Sequence, residues 1–173
     1  MTLDVLVTER DHVQGARTAG VTFVEYGDYE CSYCALANSI VVQMLSNFDD
    51  QLRYVFRHFP LTEIHPQAEG AAEIAEPAAT RGKFWEMHEA LYANQASLGV
   101  PLYVELGKSL AISESDILTS LEKRAFASKI RRDYQDGVLC SVDGTPAFFI
   151  NGQRHNGSYE YESLRAALQA ARA

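Results

Sequence analysis

Val21-Thr-Phe-Val-Glu-Tyr-Gly-Asp-Tyr-Glu-Cys-Ser-Tyr-Cys34 is the stretch whose reading decides the fold. Val21 to Tyr26 is a compact β-rich run behind Gly20 and reads as a buried strand, which Gly27 and Asp28 end. From Cys31 the pattern turns helical, with Leu36, Ile40, Val41, Met44, Leu45 and Phe48 recurring on one face. Arg53 to Phe59 returns to strand, and Pro60 stops it. Strand, helix, strand makes a βαβ unit with two cysteines at the first turn of its helix.

Working outward, residues 61–139 read as almost entirely helical. Pro66 suits a first helical turn and Gly82 a break. Pro77 falls inside a helical pattern and should kink or split it. Lys83 to Asn94 is an amphipathic helix with Phe84, Met87 and Leu91 on one face. Ser113-Glu-Ser-Asp116 resembles a capping box. A further helix is expected from about Arg124 to Asp136, closed by Gly137. Beyond it, Ala147 to Ile150, Asn151-Gly152 and Gln153 to Asn156 carry a two-residue hairpin signal. A final helix buries Leu164, Ala167, Leu168 and Ala171. A βαβ unit and a ββα unit thus flank a helical insertion at about 61–139, inside a single α/β domain spanning 1–173. That layout resembles a thioredoxin-like fold.

Composition narrows the partners. The chain has 173 residues, 47% hydrophobic and 22% charged, with a formal net charge of −8. An acidic protein of ordinary composition lacks the basic surface that nucleic acid or anionic membrane selects. No apolar run is long enough for membrane insertion, and Met1 to Val7 does not read as a secretory leader. The expectation is a cytoplasmic protein as written, or a periplasmic one if a leader has been removed.

Cys31-Ser-Tyr-Cys34 carries the chemistry. A thiol at a helix mouth meets unpaired backbone N–H groups and the positive end of the dipole, which stabilise the reactive thiolate. Cys34, one turn in, faces inward and can close a disulfide on its neighbour. The alternatives for such a pair are half a zinc site or two incidental thiols. Glu25 is an acid inside an otherwise buried strand. If buried its pKa should rise, and it could accept the Cys34 proton; at a strand edge it would simply be solvated. Pro146, after Gly144 and Thr145, fits either a cis bond in a tight turn or an ordinary turn proline. Cys140 reads as an inert packing thiol, with a regulatory role or pairing with an external cysteine as the alternatives. The histidines (His12, His58, His65, His88, His155) show no ligand spacing, so neither metal nor cofactor is expected. Trp85 and Met87 read as packing, and Asp49-Asp50 as a solvated helix end.

These residues resemble a family. Asp11-His-Val-Gln-Gly15 and the Val21–Cys34 stretch are similar to the opening of DsbA-like thioredoxin-fold proteins, including antiporter-fused members. Phe84-Trp-Glu-Met-His88 resembles a signature of their inserted helical domain, and Gly144 to Gly152 their cis-proline loop and hairpin. The resemblance implies an exposed, nucleophilic Cys31 and a resolving Cys34. It also implies a cis Pro146 beside them, a Thr145 backbone offered to an extended substrate, and Glu25 as the buried acid. The expected function is thiol–disulfide exchange with protein or peptide thiols and disulfides, served by a redox partner that the sequence does not identify. The alternatives are a small-molecule disulfide reductase and a non-catalytic metal- or peptide-binding module. The dipeptide Ser32-Tyr33 lacks the histidine of strongly oxidising relatives, and Asp28 and Glu30 add negative charge. A Cys31 pKa of about 6–7.5 follows, with a potential towards ~−200 mV or lower.

Overall fold

The computed structural model describes Thr2 and residues 6–172. Most of the Met1–Val7 stretch lies outside the described residues. The frame is a five-stranded sheet in the order β1-β3-β2-β4-β5. Its strands are β1 (His12–Gly15), β2 (Val21–Gly27), β3 (Leu52–His58), β4 (Ala147–Ile150) and β5 (Gln153–Arg154). β2 and β3 run parallel, joined by helix α1 (Ser32–Phe48), whereas β1 pairs with β3 and β4 with β2 antiparallel.

Alternation along β2 sorts its side chains between two cores. Val21 and Phe23 enter the larger core with Cys34, Val41, Met44 and Leu168. Val24 and Tyr26 enter the smaller one with Val55, Phe59, Cys140 and Phe149. The same parity puts Glu25 on the face that α1 covers. β1 escapes the sequence reading because it is short and lies at the sheet edge with half its residues exposed.

Five helices separate β3 from β4: α2 (Ala68–Ala79), α3 (Phe84–Ala93), α4 (Val100–Ser109), α5 (Glu114–Lys123) and α6 (Ala127–Leu139). Pro66 lies in a turn ahead of α2 instead of in its first turn. Pro77 does not split α2, which continues to Ala79. Proline at 77 leaves the Glu73 carbonyl without its helical donor, and the Ser120 hydroxyl reaches that oxygen at 3.5 Å. Ser113 does cap α5, accepting from the Asp116 N–H at 3.1 Å.

Gly137 does not close α6 but lies inside it. Its role is close packing: a Cβ there would stand 2.7 Å from Phe59 Cδ2 and 3.0 Å from Tyr26 Cδ1. On α1, Leu36 is 61% exposed, and Ala37 and Asn38 hold the inner face instead. The C-terminal hairpin turns through Asn151 and Gly152, both at positive φ (46° and 79°), as a two-residue turn of this handedness requires. Asn151 Oδ1 accepts from the Thr22 N–H at 2.7 Å and its Nδ2 donates to the Ala171 carbonyl at 3.0 Å. The hairpin is thereby tied to β2 and to the end of helix α7 (Tyr161–Ala170).

Candidate active site

Cys31 is the N-cap of α1, with extended backbone (φ −74°, ψ 117°) and no side chain capping the helix. The first-turn N–H groups therefore face the sulfur. The carbonyl of Cys31 accepts from the Cys34 and Ala35 N–H groups at 3.0 and 3.2 Å, and from Gln95 Nε2 at 2.9 Å. Gln95 also donates to the Tyr29 carbonyl at 2.8 Å. This strut from the helical insertion holds the cysteine turn, and no local pattern in the sequence pointed to it.

Opposite the sulfur lies the loop of Thr145 and Pro146, whose joining peptide bond is cis. Cys31 Sγ, as a thiol, donates to the Thr145 carbonyl at 3.3 Å. Under that loop Cys31 is only 5% exposed, less open than the resemblance implied.

The Cys34 thiol, the hydroxyl side of Thr145 and the N–H groups of Cys34 and Tyr33 together outweigh burial and bring the Cys31 pKa down from 9.0 to about 5. The Thr145 hydroxyl is buried with no other hydrogen-bond partner, so it is free to serve the thiolate. Cys34 is fully buried, and its thiol is pushed the other way by burial, by its bond to Cys31 and by the charge of Glu25. One thiol is poised as an anion, its neighbour as a proton carrier.

The Cys31 value lies below the ~6–7.5 expected from sequence because the Cys34 thiol and Thr145 add hydrogen bonds that the sequence reading did not include. Asp28 is buried and accepts from the N–H groups of Glu30 and Leu61 and from His65 Nδ1, each at 2.8 Å. Glu30 accepts from the Gln67 N–H at 2.5 Å. Both carboxylates stitch the cysteine turn to the loop ahead of α2.

Glu25 is 1% exposed, so the solvated strand-edge alternative does not apply. Burial pushes its carboxyl up to about 8, against the bond donated by the Tyr54 hydroxyl to Oε2 at 2.6 Å. Its other oxygen is buried without a hydrogen-bond partner. Tyr54 reaches Glu25 because Tyr54 pairs with Phe23 across the parallel β2–β3 ladder, on the same face. Sequence reasoning missed Tyr54, although parity along β3 was the signal that could have found it. A group titrating near neutrality behind a buried thiol can take and return a proton.

A second polar chain runs under the cysteines. The Tyr29 hydroxyl meets His88 Nδ1 at 3.0 Å, His88 Nε2 meets Asn38 Oδ1 at 3.2 Å, and Asn38 Nδ2 donates to Glu89 at 2.9 Å. Burial drives the His88 pKa down to about 3. A neutral ring with its proton on Nε2 satisfies every partner, with Tyr29 donating to Nδ1. His88 is thus a structural strut between α3 and α1. Cys140, on the opposite face of the sheet, has Tyr26 O–H at 4.0 Å from its sulfur and shares nothing with the other two thiols.

Comparison with known proteins agrees with this picture. The model of a family described as thioredoxin matches residues 7–170. The chain superposes on oxidised BdbD from Bacillus subtilis with a TM-score of 0.87 at 24% identity, covering 95% of this chain and 94% of that one. Against α-DsbA1 from Wolbachia pipientis the TM-score is 0.85 at 17% identity, with 97% and 94% covered. In sequence it is 46% identical over 163 residues to the Na+/H+ antiporter NhaA 1 of Salinispora arenicola, spanning 94% of this chain but 25% of the antiporter. The likeness is therefore to one part of that protein. Among the described residues no helix is long and apolar enough to cross a membrane. The chain belongs to the thioredoxin family, and its helical insertion gives it the DsbA-like form of that fold.

Proposed function

We propose that this protein exchanges disulfides with protein substrates, with Cys31 as the attacking thiol and Cys34 as the resolving one. The observation that carries this reading is the divergence of two adjacent thiols, one lowered to about 5 at the helix mouth and one raised by burial beneath it. In the reducing direction the Cys31 thiolate attacks a substrate disulfide, forming a mixed disulfide and releasing one substrate thiolate. Cys34 gives its proton to Glu25 and attacks Cys31 Sγ. The Cys31–Cys34 disulfide forms, and the second substrate sulfur leaves as a thiolate. The oxidising direction is the reverse.

Thr145 and Pro146 offer the backbone edge ahead of β4, where an extended substrate segment can pair by strand addition. The thiolate is more stable than the sequence suggested, and a stabilised reduced form makes a more oxidising pair. The potential therefore belongs above the ~−200 mV expected from the sequence. Incubating the Cys34→Ser variant with an oxidised protein substrate, followed by peptide mass spectrometry, tests the roles. The expected result is a stable mixed disulfide at Cys31. An adduct at Cys140, or none, overturns the assignment.

A further inference from the structure

The Asp11-His12 segment and His58 take no part in the chemistry above, yet the fold gathers them. Asp11 holds the Arg57 guanidinium at 2.7 Å. His12 opens the edge strand β1, His58 ends β3, and Glu76 projects from α2. Both imidazole Nε2 atoms converge on one oxygen, Glu76 Oε1, at 2.7 Å (His12) and 2.8 Å (His58). The three candidate donor atoms lie within 4.8 Å of one another. The His58 side chain is 1% exposed, that of Glu76 7% and that of His12 11%.

We infer that His12, His58 and Glu76 form a binding site for one Zn2+ ion, which pins the sheet edge to helix α2. Two imidazoles and a carboxylate are a borderline-soft N2O donor set that suits zinc, whereas calcium and magnesium select all-oxygen shells. The nearby Lys129 is paired with Asp133 at 2.5 Å, so the two rings are the partners printed for Glu76 Oε1. A ring that coordinates through Nε2 carries its proton on Nδ1.

Metal–ligand bonds of about 2.0–2.1 Å put tetrahedral donor atoms roughly 3.3 Å apart. The two contacts to Glu76 Oε1, at 2.7 and 2.8 Å, would therefore open by about half an ångström when an ion enters. Phe84 stacks on the His12 ring at 3.5 Å and 8°, which fixes its plane. His12 is the least buried of the three, and a water would complete the fourth position of such a site. The site was hidden from the sequence because its members lie 64 and 18 residues apart from one another.

The test uses the full chain carrying Cys31→Ser and Cys34→Ser, so that the active-site thiols take no metal. Zn2+ is titrated by calorimetry, Co2+ by visible absorption, and melting is followed with Zn2+ or with chelator. The expected result is one ion per chain, a higher melting temperature with Zn2+, and at least ten-fold weaker binding in both His12→Asn and Glu76→Gln. Circular dichroism checks that the variants fold. No binding at micromolar Zn2+, or binding unchanged in both variants, overturns the site. If the variants do not fold, the Co2+ spectrum of the parent decides. A tetrahedral band without sulfur charge transfer supports the site; a thiolate-to-cobalt band moves the ion to Cys140 and overturns it.

Discussion

Cys31 and Cys140 occupy opposite ends of two helices. Cys31 caps the N-terminus of α1 and Cys140 the C-terminus of α6. Burial does not distinguish them, at 5% and 1% exposed. Cys31 meets N–H donors and the positive end of a helix dipole, whereas Cys140 meets the negative end and the apolar wall of Val24, Val55 and Phe149. The lesson is that two thiols of similar exposure differ by what faces them: the Cys34 thiol, Thr145 and helix N–H groups at Cys31, an apolar wall at Cys140. The two faces of the sheet repeat the contrast. Glu25 and Tyr54 lie on the Cys34 side, while Tyr26 and the Asp11–Arg57 pair serve the other.

The largest expected effect breaks the comparison outright if it fails. Cys31→Ser should reduce insulin-disulfide reduction to background, while Cys140→Ser keeps nearly wild-type turnover. Equal losses in the two variants would remove the distinction.

Next in size is chemical selectivity. Iodoacetamide labelling of the reduced protein, read by peptide mass spectrometry against pH, should rise at Cys31 with a midpoint near 5. Cys140, walled in by the second core, should stay unlabelled until the protein is denatured. A Cys31 midpoint close to an ordinary thiol value of ~8.5 would mean that the helix mouth is not acting on it.

The third effect is thermodynamic and belongs to the Cys34 side of the sheet. Glu25 has a folded pKa raised from 4.5 to about 8. A raised carboxyl favours the folded state only while protonated. Its ionisation therefore costs stability increasingly as pH climbs from 4.5 towards 8, and the cost is constant above that. Glu25→Gln should accordingly be more stable than wild type by a few kcal/mol at pH 8.5. The two proteins should converge below pH 4.5. Denaturant melts at the two pH values check this, and a pH-independent difference would place Glu25 outside the titration. The same variant should slow release of the mixed disulfide, as seen by single-turnover kinetics.

The smallest effect concerns packing alone. Cys140→Ala removes one buried sulfur from the Val55–Phe149 wall and should cost roughly 1 kcal/mol in urea unfolding, with the Cys31 labelling profile unchanged. A shifted profile would show that the two thiols communicate through the sheet.

Much of this architecture was legible locally. β2, α1 and β3 follow from hydrophobic pattern, the hairpin from Asn151-Gly152, and the start of α5 from Ser113. The placement of Cys31 at a helix mouth needs only residues 21–48. The misreadings are instructive. Leu36 has the right period but faces solvent, Gly137 looks like a stop but serves Phe59 and Tyr26, and Pro77 looks like a break yet leaves α2 whole beside Ser120. For Gly137 and Pro77 a partner distant in sequence overrode a local preference, and for Leu36 the period was right but the buried face of α1 runs through Ala37 and Asn38.

By itself, then, the sequence determined the βαβ frame, the cysteine pair at the start of its helix, the hairpin and the largely helical character of the insertion. Each of these rests on spacing within a few turns of chain. Tertiary structure decided the chemical state of the site. It buried Glu25 against Tyr54, tied Asp28 and Glu30 to the loop ahead of α2, set Thr145 over Cys31 and collected His12, His58 and Glu76. Ionisation responds to which groups lie within a few ångströms and how much water they exclude, and folding brings those groups together from positions far apart in sequence.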